Sequence, residues 1–412
     1  MSPSGPKYDV CVIGGSIAGS AAAAALLDLG LSVAVIEREA AFRDRARGEG
    51  IHPWGMDEAA DLGLLTVLDQ AGAHPLPVWQ TYGEQQPLEP FLWADESARG
   101  YGEHGVFHPR LQQTMLDYVA SQGAVIYRPA AMKKLDHIRD HIVVSFASNG
   151  EESLLGAQFV IGADGTHSKT RSISGIETEK NAHHHWFAGV LIDRFTGDQD
   201  AAHAALVPGG RMFILPQGEG RARLYAALMP DRAVAIQADR SGRALIELAE
   251  AHLPDRMLQG VELAGPQGIF SNADIWPTSA VADHVVLVGD AAGTNDPSVG
   301  NGVSQAFRDV RELREAIRLH GLTQNAFESF AASRARYYGT LREYAAWMGT
   351  LWLEEGPDAD CRRARFRTAR ETDPDAGGFN TITALGPREL IADENSRSRF
   401  FGETADRSAS PD

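Results

Sequence analysis

The chain has 412 residues, 43% hydrophobic and 23% charged, with a formal net charge of −17. That is enough apolar material for a large core and two or three domains, in an ordinary globular composition. So acidic a balance argues against nucleic acid or an anionic membrane as partner, because phosphate binding needs basic surface.

The first predicted unit runs from Tyr8 to Glu37. Tyr8 to Ile13 is a short apolar run suited to a buried parallel strand. Gly14 and Gly15 supply a sharp turn, and Gly19 lets the following helix pack close to the sheet. Ile17 to Leu29 reads as a small-residue helix stopped by Gly30, and Ser32 to Ile36 as the next strand. Glu37 follows 23 positions after Gly14, close to the spacing of a carboxylate that grips a ribose. A helix N-terminus behind a glycine turn suits a pyrophosphate. Ser16 occupies the place of the second glycine in G-x-G-x-x-G; it is small, and its hydroxyl can itself donate to phosphate. The other reading of this stretch is an ordinary glycine turn in a parallel sheet.

The loop Arg47 to Gly55 brings Arg, Glu, His and Trp together between turn formers, ahead of a helix over Met56 to Leu65. It reads either as a connection or as a loop bordering a cofactor, which is where such clusters work. Residues 74 to 104 are rich in Pro, Gly and aromatics and suggest an excursion in short strands. A helix follows from Leu111 to Ser121. Arg110 at its start is an unfavourable place for a cation unless an anion lies nearby. Ala124 to Tyr127 and His141 to Ala147 are expected as strands around a hairpin. Ala157 to Asp164 is a buried strand ending in Asp164-Gly165, the kind of strand end where open α/β sheets bind ligands.

From 181 to 276 the pattern changes to antiparallel strands over His184 to Asp193, Ala201 to Val207, Arg211 to Gln217 and Ala222 to Met229, then a helix over Gly242 to His252. Three successive histidines, His183 to His185, would alternate in direction along a strand, so no metal site is expected. The chain then returns to the first fold. A strand over His284 to Val288 ends in Gly289-Asp290, and a loop leads through Pro297 to Gly300-Asn301-Gly302 and an amphipathic helix over Val303 to Leu319. Phe327 to Trp352 is an aromatic-rich helix, better suited to packing or a dimer surface than to binding. Beyond Gly356 the polar composition suggests an irregular extension. Cys11 and Cys361 exclude a disulfide framework and fit a reducing cytoplasm. MSPSGPK has no apolar signal core, and Asp28 and Gly30 break the longest apolar run, so no transmembrane segment is expected.

Three strand-end signals thus stand in order: Gly14 to Gly19 with Glu37, Gly162-Ala163-Asp164-Gly165, and Gly289-Asp290 followed by Pro297 and Gly300-Asn301-Gly302. In this order and spacing the chain resembles the single-component (class A) FAD-dependent monooxygenases, the p-hydroxybenzoate hydroxylase-like family, over roughly residues 8 to 320. The resemblance implies an α/β fold. A Rossmann-like FAD-binding domain (1–73, 105–180 and 277–355) would carry a mainly antiparallel substrate domain (74–104 and 181–276), with an extension from 356 to 412.

It also implies roles. Gly14, Gly15, Ser16, Ile17, Ala18 and Gly19 would hold the FAD pyrophosphate, Glu37 the ribose, and Arg38 the adenine side. Arg47 would border the cofactor, Arg110 would reach toward it, and the Met132 backbone would meet adenine. Asp164 and Gly165 would serve FAD and the nicotinamide donor, Gly289 and Asp290 the ribityl chain. Pro297 would lie at the reactive edge, with Gly300, Asn301, Gly302 and Val303 under the pyrimidine end, where a positive helix end stabilises reduced flavin. Gly293 stands where the family often has His after G-D-A-A, and the W-x-W-x-I-P motif of flavin halogenases is not found.

The implied reaction is hydroxylation of an aromatic or electron-rich small molecule by NADH or NADPH and O₂, through a C4a-hydroperoxyflavin, in a dry pocket. Its walls are sought in Arg47–Trp54, Trp79–Trp93, Trp186–Ile192, Arg211–Pro216 and Asn295–Pro297. His52 and His108 are candidates for a base, weighed against structural roles. Two alternatives stand beside this: a flavin reductase or dehydrogenase of geranylgeranyl-reductase type, and a non-enzymatic flavin sensor. A monomer or homodimer is expected.

Overall fold

A computed structural model describes residues 7–46, 48–372, 379–387 and 390–403. Arg47, expected to border the cofactor, lies outside the described residues.

The apolar run Tyr8–Ile13 is the central strand of an eight-stranded sheet. It pairs in parallel with Val33–Ile36 on one side and with the end of Glu151–Gly162 on the other. Val125–Tyr127 continues the parallel set beside Val33–Ile36, and Val285–Leu287 beside Glu151–Gly162. The register aligns Ile13 with Ile36 and with Gly162, and Gly162 with Leu287. Gly14, Glu37, Asp164 and Gly289 therefore leave the sheet along one carboxyl edge, although 275 positions separate the first from the last.

The hairpin expected around 124–147 is drawn differently. Val125–Tyr127 belongs to the parallel set, while His141–Ser148 pairs with Ala131–Ile138 and Glu151–Gly162. The strand at 131–138 carries Lys133, Lys134 and Asp136, which hid its period in the sequence. The helix expected over Met56 to Leu65 instead spans Pro53–Asp61, and Gly63, at φ +72°, separates it from a short helix at Leu65–Gln70.

A nine-stranded sheet forms the second layer. His185–Asp193, Arg221–Leu228, Gly210–Gly218 and Ala201–Val207 are antiparallel neighbours, and Val78–Gly83 joins Ala201–Val207 in parallel. Alternation assigns its two faces. Ala188, Val190, Ile192, Met212, Ile214, Leu224 and Ala226 pack under the helix Arg243–His252. Phe187, Phe213, Leu215 and Tyr225 face the other way, toward the first domain.

Two helices close the structure. Gly302–His320 lies against the nucleotide-fold helix Ile17–Asp28, and Gln324–Leu353 follows it. Tyr337, Tyr344, Trp347 and Met348 of the latter are core residues. The segment after Gly356, expected to be irregular, contains helices at Pro357–Thr372, Phe379–Leu385 and Glu394–Phe401. Its few aromatics explain the difference. Phe400, fully buried, packs on Tyr344, Trp347 and Phe366, so a polar amphipathic tail acquires one apolar stripe. Among the described residues no helix is long and apolar enough to cross a membrane.

Removing the Phe400 ring empties this cluster. Phe400→Ala is expected to cost about 3–5 kcal/mol, read as a lowered denaturation midpoint and earlier proteolytic cleavage after Gly356.

Candidate functional site

Backbone packing at the carboxyl edge explains the glycines. A Cβ on Gly14, whose φ is +101°, would collide with the Ala163 carbonyl, and one on Gly19 with the carbonyl of Gly14. The first helix can approach the sheet only because both are absent. At Gly289, whose φ is +58°, an added Cβ would meet the Cβ of Ala18 at 2.8 Å. Asp309 fixes that turn from behind: its buried carboxylate accepts the Gly289 N–H at 2.8 Å, Arg334 Nε at 3.0 Å and the Tyr337 hydroxyl at 2.5 Å.

Glu37 is buried and lines the cavity described below. Its two oxygens accept the backbone N–H groups of Gly15 and Glu39, each at 2.7 Å. The carboxylate thus holds the glycine turn as well as facing the cavity. Asp164 is similarly shared. It accepts from Ser168 Oγ and from the Thr170 N–H and hydroxyl, capping the short helix Lys169–Ile173. Arg171 donates to Thr166 O and Ala291 O and ties the D-G loop to the G-D loop. Thr166 also donates to Asp290 at 3.2 Å.

These loops border a cavity of about 770 Å³. One end is lined by Gly14, Ser16, Ile17, Ala18, Glu37, Arg38, Met132, Asp164, Gly165 and Asp290. The middle is lined by Pro297, Ser298, Val299, Gly300, Gly302 and Val303. At the far end stand Trp79, Phe187, Phe213, Leu215, Tyr225 and Phe270 of the second sheet. Gly15, Gly19 and Gly289 lie behind the lining as packing residues. Asn301 is fully buried at the start of the Gly302–His320 helix, and its side-chain amide has no hydrogen-bond partner among the described residues. The same holds for Asn295 Nδ2 and Gln305 Oε1, whose residues line the cavity. Buried amides left unpaired are costly; the two on the cavity wall, Asn295 and Gln305, fit a ligand rich in carbonyl and N–H groups, as an isoalloxazine is. Arg38, Arg43, Arg45, Lys133, Lys169 and Lys180 also line the cavity, interspersed with Glu37, Glu39, Glu49, Glu103, Asp164 and Asp290.

Arg110 does not join this set. It is exposed, donates to Gln70 O and packs over Gly72. The residues of that helix, His108–Ser121, that face the cavity are His108 and Gln112, and Gln112 donates to Ser16 Oγ at 2.8 Å. Two residues rotate the helix by about 200°, which puts position 110 on the solvent side.

His52 and His108 are both committed to holding loops. His108 Nδ1 lies 2.8 Å from Gly48 O. His52 Nε2 is 2.7 Å from Val299 O, with Nδ1 3.3 Å from Glu103. Glu49, not singled out in the sequence, is buried beside the aromatic wall. It accepts hydrogen bonds from Arg223 Nη2 at 2.7 Å and from the Tyr225 hydroxyl, and forms an ion pair with the same guanidinium, 2.6 Å from Nε. Burial and the Glu49 charge push the Tyr225 phenol well above its ordinary value, so it remains a donor. Strand alternation alone would have placed Arg223 and Tyr225 on one face; the loop that meets them comes from 174 residues away. Gly293, where a His was expected, has φ +130°, and a Cβ there would meet the Tyr338 hydroxyl at 2.8 Å.

The family model described as "FAD binding domain" matches residues 7–326. The chain belongs to this FAD-binding family. FAD is therefore its cofactor, and the unpaired amides and glycine cradle fit it. A ubiquinone hydroxylase of Rhodospirillum rubrum is 27% identical, the match covering 75% of this chain and 72% of that protein. A digeranylgeranylglycerophospholipid reductase of Methanosarcina acetivorans is 26% identical over 73% and 72% of the two chains. The structure of p-nitrophenol 4-monooxygenase from Pseudomonas putida superposes with a TM-score of 0.78 at 17% identity, over 92% of this chain and 96% of that one. The protein thus has the fold of the flavin-dependent monooxygenases.

Gly14→Ala forces a residue with a Cβ into a left-handed, crowded turn, a strain of roughly 1–3 kcal/mol. FAD affinity, measured by flavin fluorescence titration, is expected to fall by about one to two decades. A second expectation concerns Asp274, which burial and the nearby Asp296 charge push up to about 7. The folded state then holds this proton more tightly than the unfolded chain, so stability falls as pH rises from roughly 4 to 7. Asp274→Asn removes that loss. Its stability advantage over wild type should grow through this window and level off above it, reaching on the order of 2–4 kcal/mol, read from denaturation midpoints at several pH values.

Proposed function

We propose that the protein is a monooxygenase that consumes NADH or NADPH and O₂ and hydroxylates an aromatic or otherwise electron-rich small molecule. The observation that carries this is the continuity of one cavity from the nucleotide cradle, past Pro297 and Gly300, to an aromatic wall. Bound FAD, once reduced, supplies the activation of O₂. The balance is one substrate C–H, O₂, NAD(P)H and a proton giving C–OH, water and NAD(P)⁺.

The chain's own groups supply position and dryness. Phe187, Phe213, Phe270 and Trp79 offer a flat apolar surface for a planar ligand. Tyr225 and Glu49 are the polar groups on that wall, and a substrate hydroxyl would meet them there. Arg223 neutralises Glu49 and keeps it in place. The N-terminus of Gly302–His320 points its free N–H groups at the loop, which favours negative charge on the reduced cofactor. Two features support the hydroxylase reading from outside the chain: the names of the ubiquinone hydroxylase relative and of the nitrophenol monooxygenase neighbour.

The reductase relative favours a second reading, in which the same chamber holds an isoprenoid and oxygen is not used. The purified protein is expected to carry a flavin spectrum and to oxidise NADH or NADPH faster when a phenol or quinol is added. Product should form in proportion to O₂ consumed. Reduction of a prenyl substrate proceeding without oxygen would replace the hydroxylase reading with the reductase one.

A further inference from the structure

The histidines dismissed as metal ligands in the sequence form a different arrangement. The strand begins at His185, so His184 lies just outside it and strand alternation does not separate the two rings. His184 Nδ1 and His185 Nδ1 are 2.7 Å apart. His185 is almost fully buried, and its Nε2 lies 3.3 Å from Asp296 Oδ1. The same Asp296 oxygen accepts the Ser298 hydroxyl at 2.7 Å and the Ser298 N–H at 2.8 Å. Ser298 lines the cavity beside Pro297. At the other end His184 is only half-buried. A set of exchangeable groups therefore runs from the surface side of the second sheet to the middle of the cavity, hydrogen-bonded at each step except between His185 and Asp296, which meet as an ion pair at 3.3 Å.

The chemistry of the contacts is restrictive. Two ring nitrogens at hydrogen-bond distance share one proton, so one ring donates and the other accepts. The Asp296 carboxylate favours a proton on His185 Nε2. When His184 takes a proton at Nε2, it can pass the one on Nδ1 to His185, leaving an imidazolium against a carboxylate. Passing the Nε2 proton to Asp296, and the Ser298 hydroxyl proton into the cavity while Asp296 refills it, delivers one proton; both rings then hold the opposite tautomer and regain the first one before the next proton passes.

We propose that His184, His185, Asp296 and Ser298 are a proton relay that feeds the centre of the cavity with the one proton consumed per hydroxylation. This rests on the monooxygenase reading. The titratable groups around the relay are His183, which faces His184, and Asp274, which faces Asp296 and His185, titrates in the same pH range and is itself faced by the Arg342 charge. Burial and the neighbouring rings lower His184, so it gives its proton up readily, while the His185 charge and the Ser298 hydrogen bonds outweigh burial and keep Asp296 ionised. A purely structural clamp would need His185 and Asp296 but would not need His184 to exchange protons.

Two measurements on the full-length FAD-loaded protein decide this. The first is an NMR titration of the histidine ring signals, which needs no turnover. His184 and His185 are expected to take up a single proton between them over roughly pH 5 to 8, and Asp296→Asn should shift that uptake to lower pH. Independent titration of the two rings, or a titration unmoved by Asp296→Asn, overturns the relay. The second is rapid kinetics on Ser298→Ala and His185→Gln. The oxygen-dependent phase should slow by about 10²-fold more than anaerobic flavin reduction by NAD(P)H does, and lose its pH dependence. An equal loss in both phases, or none in either, overturns the relay; if no oxygen-dependent product forms even in wild type, it is the monooxygenase reading that fails, and the titration still judges the relay.

Discussion

The structure depends on one close approach, that of the Ile17–Asp28 helix to the sheet at Gly14, Gly19 and Ala163. Side chains at either glycine would push the helix off the sheet. Its N-terminus would then no longer face the edge where the register of three parallel strand pairs gathers Glu37, Asp164 and Gly289. The alignment is cooperative. Ile13, Ile36, Gly162 and Leu287 end together because each strand is buried on both faces, and a slip would leave main-chain groups unpaired at the carboxyl edge.

Around that frame, buried charge rather than apolar packing fixes the loops. Asp309 holds the G-D turn through three donors. Glu49 with Arg223 and Tyr225 pins the 44–50 loop to the second sheet. The segment from Asp296 to Gly300 is held from two sides, by His185 at Asp296 and by His52 at Val299. Removing one member of such a set leaves a charge or donor stranded at low dielectric, so these loops tolerate less change than their exposed neighbours. The asymmetry suits a site that must hold a flat cofactor still while admitting substrate.

Much of the nucleotide fold was legible in the chain because its signals are local. Apolar runs of four to six residues, glycines at fixed offsets and an acid after the second strand each follow from backbone geometry. The partners of those signals were not legible. Lys133 and Lys134 masked the strand at 131–138, whose outer face is solvated. Arg110 and Gln112 could be told apart only by the rotation of their helix, two positions and about 200° apart. The tail after Gly356 looked polar because a helix that buries a single stripe, centred on Phe400, needs few apolar residues.

By itself the sequence determined which cofactor edge the chain builds, since glycine spacing and strand-end acids are read along the backbone, within a few residues of one another. It also determined that the second domain is built on a mainly antiparallel sheet, through strand-length runs joined by turns such as Pro208-Gly209-Gly210. Only the tertiary structure decided what stands opposite what: Glu49 against Tyr225 across 176 positions, His52 against Val299 across 247, His185 against Asp296. Those pairings are set by how the two sheets pack, and no local periodicity encodes a distance between elements that meet only when the chain has closed.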